Sequence, residues 1–590
     1  MKNIVKLLAL AALMTGCDDL FEPAIENNLG FDYMYDNPGY AEGILGNGYT
    51  RIPSASYSFN DVATDDAVSN DATSNYRKMA ASGAWKSDSN PTERWQNCRA
   101  AIQYLNLFLA NADKVHWADD ELAARMYNDR LKGEAYGLRG MYMYYLLQAH
   151  GGWTADGQCL GIPIVTEPED ANSDFNRPRA SFEDCMKAIY DDLKLALELL
   201  PVEYGDISSD SEVPAKYKSE GANRNQYNRV FGAKFQGRFS GRIAEAIRSQ
   251  AALLAASPAF GEGTTTTWTN AADYAAGVLD RIGGVSGMDA TGGTWYCNAD
   301  IESLSSGQCP AEILWRGTIA SNNDLETDNY PPSIYGKGRI NPTQNLVDAF
   351  PMANGYPVSA SGNGYDAANP YANRDPRLAK YIVYNGSTAG SANDVITTAA
   401  DGKNNDALNK EEGYSTRTGY YMRKLLRQDI NLNPTVNSTQ KHYTPRIRFT
   451  EIFLNYAEAA NEAFGPLGKG SHNYSAYDVI KAIRNRAGIG TDNGDAYLES
   501  IKDNQDKMRE LIRNERRLEL CFEGFRFWDL RRWKADITQT AKGMSITGET
   551  TKNYQPIEVD AREYKDYMYY GPIPYSEILK FNALVQNQGW

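Results

Sequence analysis

Between Met508 and Trp533 the chain reads MRELIRNERRLELCFEGFRFWDLRRW, and this is where charged residues suited to chemistry crowd most densely. Wound as a helix, Met508, Leu511, Ile512, Leu518 and Phe522 fall on one face at the 3.6-residue period, with Glu515 and Glu519 on or beside that stripe. A carboxylate pair could serve acid–base catalysis. The same residues could form a buried ion-pair lattice, because charges on an apolar face persist only when paired. Arg513, Arg516, Arg517, Arg526, Arg531 and Arg532 supply an excess of planar, permanently charged donors, which favours the lattice.

Other catalytic patterns are missing from the sequence. Four histidines, His116, His150, His442 and His472, form no HExxH pair, and there is no GxSxG elbow or CxxC motif. GPLGKG at Gly465 to Gly470 lacks the spacing of a phosphate loop and its closing Ser/Thr, and reads as a helix-ending turn. The 75 Asp and Glu residues leave glycoside hydrolysis open, since the separation that decides it is spatial. A net charge of -15 argues against a nucleic-acid partner, because the arginine-rich run is interleaved with Glu and Asp.

Binding is better supported than turnover. Thirty-nine Tyr and ten Trp suggest aromatic rings on surfaces as well as inside, and sugar C–H faces sit on such rings while Asp, Asn and Arg bond the hydroxyls. Asp65, Asp66, Asn70, Arg77, Trp85 and Asn90 hold that mixture in one loop region. Asp65 and Asp66 would equally well cap a turn, and Trp85 would equally well fill a core. The Asp- and Asn-rich loops offer oxygen ligands for a structural calcium ion, without an EF-hand pattern; no other metal or cofactor is implied.

The elements that must position these residues are mainly helical. Residues 30 to 90 read as loop and short turns. Helical periodicity then predicts helices from Thr92, from Asp119 to His150 (stopped by Gly151-Gly152), from Ser181 to about Pro201, and from Ser240 to Ala256. It returns at Phe449 to Phe464, Ala476 to Ala487 and Asp506 to Phe522, so the expected helical body covers about 91–258 and 445–535. Residues 260–440 are rich in Gly, Ser, Thr, Asn and Tyr and read as a mixed insert with short strands and a functional surface. At the N-terminus, Lys2 and Lys6, an apolar run from Leu7 to Met14 and Thr15-Gly16 precede Cys17, in the manner of a bacterial lipoprotein signal over residues 1–16. Met14 departs from the usual Leu at that position. Cys17 would carry the lipid and residues 17–30 would form the tether to a single domain over 31–590. Export would permit a disulfide, for which Cys297 and Cys309 are the one pair to consider.

With these pieces placed, the chain resembles the SusD/RagB family of surface lipoproteins from Bacteroidetes nutrient-uptake systems. The resemblance rests on Cys17 with Asp18-Asp19, GEAYGLRGMYMYYLLQAHGG ending at Gly152, GIPIV at Gly161 to Val165, PTQNLVDAF at Pro342 to Phe350 and RDPRL at Arg374 to Leu378. It continues through IRFTEIFLNYAEAANE at Ile447 to Glu462, IKAIRNRAGI at Ile480 to Ile489, ERRLELCFEGFRFWDLRRW, PIPYSEI and NALVQN. Cys521 and Phe581-Asn582 depart from the commoner Ala and Asn-Pro. The family implies a body of tetratricopeptide-like helix pairs, an outward-facing lipid anchor in the outer membrane, a SusC-like TonB-dependent transporter as partner, and capture of an oligosaccharide or polysaccharide without catalysis. Peptide capture is the alternative within the family, and a secreted glycoside hydrolase the alternative outside it. Asp18-Asp19 resemble the family's surface-export signal. The insert aromatics of glycan-binding members point here to Trp295, Tyr296 and Trp315, beside the loop from Asp65 to Asn90.

Overall fold

The computed structural model describes residues 31–53, 56–81 and 83–590, so the signal segment, Cys17 and the tether lie outside the described residues. Helix α1 (Pro38–Thr50) packs on α2 (Trp95–Asn111), α2 on α3 (Glu121–His150), α3 on α4 (Phe182–Leu199), α4 on α5 (Gly241–Ala256), and α5 on α6 (Trp268–Asp280). After an irregular excursion the chain returns with α7 (Phe449–Phe464), which lies on α6 and carries α8 (Ala476–Ala487) and α9 (Gln505–Glu519). The short α10 (Arg526–Arg532) follows. Local chemistry sets the starts: the side chains of Asp120, Ser181, Ser475 and Asn504 each accept from the amide three residues on. A Cβ at Gly137 would lie 2.1 Å from the Phe239 ring, so α3 reaches the start of α5 only because that position has no side chain.

Two helices depart from the sequence expectation. Helix α1 forms in a stretch read as loop, because Gly39, Gly43, Gly46 and Gly48 dilute the apolar stripe of Ala41, Ile44 and Leu45 that it buries. Helix α6 lies inside the region read as insert yet belongs to the helical body. Its buried face is Ala271, Ala272, Ala275, Ala276, Val278 and Leu279, small residues that give a weak apolar signal, and a Thr267/Asn270 capping box starts it. Between α6 and α7 the strands pair only in two-stranded antiparallel units. One of these, Ala67–Ser69 on Ile340–Pro342, sews the loop ahead of α2 to the insert. Cys297 and Cys309 are both free thiols, so the disulfide considered from sequence does not form.

The Met508–Trp533 stretch joins three apolar clusters. Met508, Leu511, Ile512 and Leu520 belong to the core of the helical body, Leu518, Cys521 and Phe522 to the core of the insert, and Phe527 and Leu530 to a third cluster with Trp85. Helix α9 ends at Glu519, and Phe522 sits beyond it at φ +64°, so it reaches the insert core by a left-handed turn rather than by helical period.

The two glutamates are fully paired, though not by the arginines beside them in sequence. Arg377 donates to Asp375 (2.7 Å) and Glu519 (2.9 Å) and lies 2.8 Å from Glu515. Arg484 joins Glu515 (2.8 Å) to Asp495 (2.6 Å), and Arg486 donates to Glu519 at 2.9 Å. The local arginines turn elsewhere: Arg516 to Asp529 and Asn455, Arg532 to Glu458 and Asp529, and Arg517 and Arg526 to the Asp65-Asp66 pair. Arg513 stacks over Trp533 at 4.8 Å.

Burial pushes the Glu519 carboxyl up, but Arg486, Arg377 and Arg448 outweigh it and carry its pKa from 4.5 down to about 2. The stabilisation from these ion pairs is therefore complete above about pH 4.5 and lost as the pH falls toward 2. Glu519→Gln, which strands Arg377 and Arg486 in the interior, is expected to cost about 3–5 kcal/mol at neutral pH. In urea melts the gap to the parent protein should shrink as the pH drops below 4.

Candidate functional site

Most residues that the sequence assigns to ligand contact are structural. Asp65 and Asp66 are buried against the clamp, where Arg517 donates to Asp66 at 2.6 Å and to Asp65 at 2.8 Å, and Arg526 donates to Asp65 at 2.9 Å. Burial raises the Asp65 pKa, yet Arg517 and Arg526 hold it below the ordinary carboxylate range. The Trp85 ring is 2% exposed and lies 4.9 Å from the guanidinium of Arg531, which Phe527 and Tyr564 also face at 3.5 and 4.8 Å. Arg531 is a buried cation held by rings, and Trp85 is one wall of that cage. Asn90 accepts from the Trp85 indole at 2.8 Å and from the amide and hydroxyl of Thr92. Trp295 and Tyr296 pack in the insert core with Tyr443, at 2% and 7% exposure. Trp315, 1% exposed, donates to Gly237 O at 3.0 Å and lies under Arg446. Rings with both faces covered cannot receive a sugar, so Trp85, Trp295 and Trp315 are removed from the site as drawn from sequence.

Asn70 and Arg77 mark where the insert loops are joined to the loop ahead of α2. The Asn70 side-chain amide donates to three carbonyls, Lys337 O, Gly338 O and Tyr414 O, each at 2.9 Å, while its oxygen accepts from Arg339 at 3.4 Å. One buried side chain thus pins the insert loops around residues 337 and 414 to the loop ahead of α2. Arg339 adds a bond to Gly413 O at 3.0 Å, and half-buried Arg77 donates to Asn70 O at 3.3 Å. Gly338 permits the close approach: a Cβ there would lie 2.8 Å from Tyr414 O, and its φ is +56°.

Two rings stand out from these pinned loops. Tyr335 is 55% exposed and Tyr414 47% exposed, in a chain whose other insert aromatics are largely packed inside. Tyr335 also holds φ +70°, a left-handed conformation costly for a bulky residue, fixed by its own amide donating to Pro332 O and by Gly336 N donating to Pro331 O. Asp71, Arg77, Arg339, Glu412 and Arg417 lie on the same joined loops and remain partly or fully exposed. The ledge offers aromatic faces beside both signs of charge and no enclosed cavity, an arrangement suited to laying down an extended polar ligand. Neither Tyr335 nor Tyr414 is among the aromatics that the sequence singles out. A usable signal was present, since both are flanked by Gly in polar runs, whereas Trp315 sits in apolar EILWRG. Among the described residues no cluster of His, Cys, Asp and Glu could hold a metal ion.

Comparison with known proteins agrees with the fold. A model of the SusD family matches residues 312–590, and a model described as starch-binding, associating with outer membrane, matches residues 43–216. The SusD-like protein P2 of Formosa agariphila is 31% identical over 148 residues, so the match spans a quarter of this chain and a quarter of that relative. A SusD-like protein of Bacteroides fragilis superposes with TM-score 0.70 at 22% identity, covering 96% of this chain and 100% of the other. A laminarin-binding SusD-like protein superposes with TM-score 0.56 at 18% identity, covering 94% and 100%. Taken with the helix order and the α9 seam described above, the two matched segments establish that this chain belongs to the SusD/RagB family.

Proposed function

We propose that the protein is a cell-surface lipoprotein, anchored in the outer membrane through Cys17, that captures a glycan without chemistry and passes it to a TonB-dependent transporter of the SusC type. The observation that carries the glycan reading is the pair of exposed tyrosines, Tyr335 and Tyr414, on loops pinned by Asn70. Tyrosine rings stack on the C–H faces of pyranose units, and Arg77, Arg339 and Asp71 stand within the same loops to bond hydroxyls. The laminarin-binding relative of the same fold and the starch-binding description of one matching family model support a carbohydrate over a peptide. The carboxylates that could have served acid–base chemistry, Glu515 and Glu519, are taken up in ion pairs with Arg377, Arg484 and Arg486.

The strain at Tyr335 separates stability from binding. Tyr335→Gly removes the ring and relieves the left-handed backbone, so it should raise stability by about 1 kcal/mol while weakening polysaccharide binding about tenfold. Tyr414→Ala should weaken binding to a similar degree with little change in melting temperature. Isothermal titration against laminarin, starch, a wider polysaccharide panel and a peptide library reads both effects. Binding of peptides alone, or glycan affinity untouched in both variants, would overturn the assignment. Cys17→Ala should move the protein from the membrane fraction to the soluble exported fraction, and the transporter should copurify with the parent protein from detergent extracts.

A further inference from the structure

A cavity lined by none of the ledge residues opens within the helical body. It encloses about 350 Å³ between the Ser58–Asn60 loop, Tyr144 and Tyr145 near the end of α3, Gln250 on α5, the first turns of α7, and Phe525 to Trp528. Three of its lining residues are buried and each keeps a polar atom without a hydrogen-bond partner among the described residues: Glu451 Oε2, Asn455 Nδ2 and Asn60 Oδ1. They are 2%, 1% and 3% exposed. The other ends of two of them are firmly held. Glu451 Oε1 accepts from Gln250 at 2.7 Å, and Asn455 Oδ1 accepts from Arg516 at 2.7 Å. Each such buried, unmatched atom costs on the order of 1–3 kcal/mol, so three among the lining residues mark a place where partners would be gained.

The chemistry of the wall narrows the ligand. Asn60 Oδ1 accepts, Asn455 Nδ2 donates, and Glu451 Oε2 does either with its proton off or on, a mixed set that calls for groups that both donate and accept, which is the property of hydroxyls. Tyr144, Tyr145 and Trp528 supply ring surface, with Arg94 fixed between the Tyr145 and Trp528 rings at 5.1 and 4.9 Å and bonded to Gln148 at 2.9 Å. Among the charged lining residues Arg448 pairs with Glu523, and Arg516 and Arg532 pair with Asp529, so these charges are already matched within the protein. Burial also pushes the Glu451 carboxyl up to about 7. We infer that this cavity binds one uncharged, polyhydroxylated ring, a single pyranose or the end unit of an oligosaccharide, as a site separate from the ledge that holds the longer chain.

The test uses the full mature protein and four neutral monosaccharides, D-glucose, D-galactose, D-mannose and L-arabinose, followed by saturation-transfer NMR and isothermal titration. Saturable binding of at least one is expected. Ser58→Trp, a change at an exposed residue of the cavity lining, should reduce it at least tenfold, and Glu451→Gln should weaken it severalfold. Tyr335→Gly and Tyr414→Ala should leave it unchanged while polysaccharide binding falls. The proposal is overturned if none of the four sugars binds saturably, if binding survives Ser58→Trp undiminished, or if it is lost in the ledge variants instead. Because polysaccharide and monosaccharide binding are read separately, failure of the ledge assignment and failure of the cavity assignment give different patterns. Circular dichroism checks that each variant is folded, and Ser58→Trp carries the test should Glu451→Gln be unstable.

Discussion

The structure depends on one constraint, that a charge withdrawn from water must find its opposite. Glu515 and Glu519 lie at the end of α9, where the helical body meets the insert, and they draw in Arg377 from the insert and Arg484 and Arg486 from α8. Arg448, at the entry to α7, adds bonds to Glu312, Glu523 and the Glu519 carbonyl, and Lys424 from the insert reaches the same corner. Apolar packing would tolerate some sliding between the two cores. Directional guanidinium–carboxylate bonds do not, because removing one partner leaves its mate buried and alone. The seam therefore ties the two cores together through directional bonds.

That coupling also explains the fate of the acidic pair ahead of α2. Asp65 and Asp66 carry the side chains of a sugar-binding loop, yet Arg517 and Arg526 at the seam claim them. The loop is held by its acids from below and by Asn70 from above. Residues that might have met a ligand instead fix the height and direction of those that can. Trp85 undergoes the same conversion, closing over Arg531, which has rings rather than a carboxylate as its neighbours and whose pKa burial lowers to about 10.

Much of the helical body was legible in the sequence because its apolar period and its caps agree: Ser181, Ser475 and Asn504 mark true starts, and Gly465 ends α7 where GPLGKG reads as a turn. What escaped was written in residues that give weak signals. Helix α1 is interrupted by glycines, and α6 buries alanines, so neither shows a strong stripe. The seam was legible as a lattice, but its partners were not, since Arg377 and Arg484 come from more than thirty residues away or from another element. Aromatic type alone could not tell Trp295, enclosed by Tyr296 and Tyr443, from Tyr335, lifted into solvent by a backbone conformation that has no one-letter code.

The three bonds from the Asn70 amide have a further meaning for how a ligand is met. Loops that must be frozen on contact charge that ordering against affinity, at roughly 0.5–1.5 kcal/mol for each immobilised side chain. Here the two ring-bearing loops share a single anchor from a third, and their separation is set before any ligand arrives. If the surface takes a glycan as proposed, such preparation favours weak, rapid and repeated engagement along a repeating chain over slow closure around one unit. Under the proposed reading, selectivity would then come from the spacing of the rings set against the repeat of the polymer, a ruler rather than a lock.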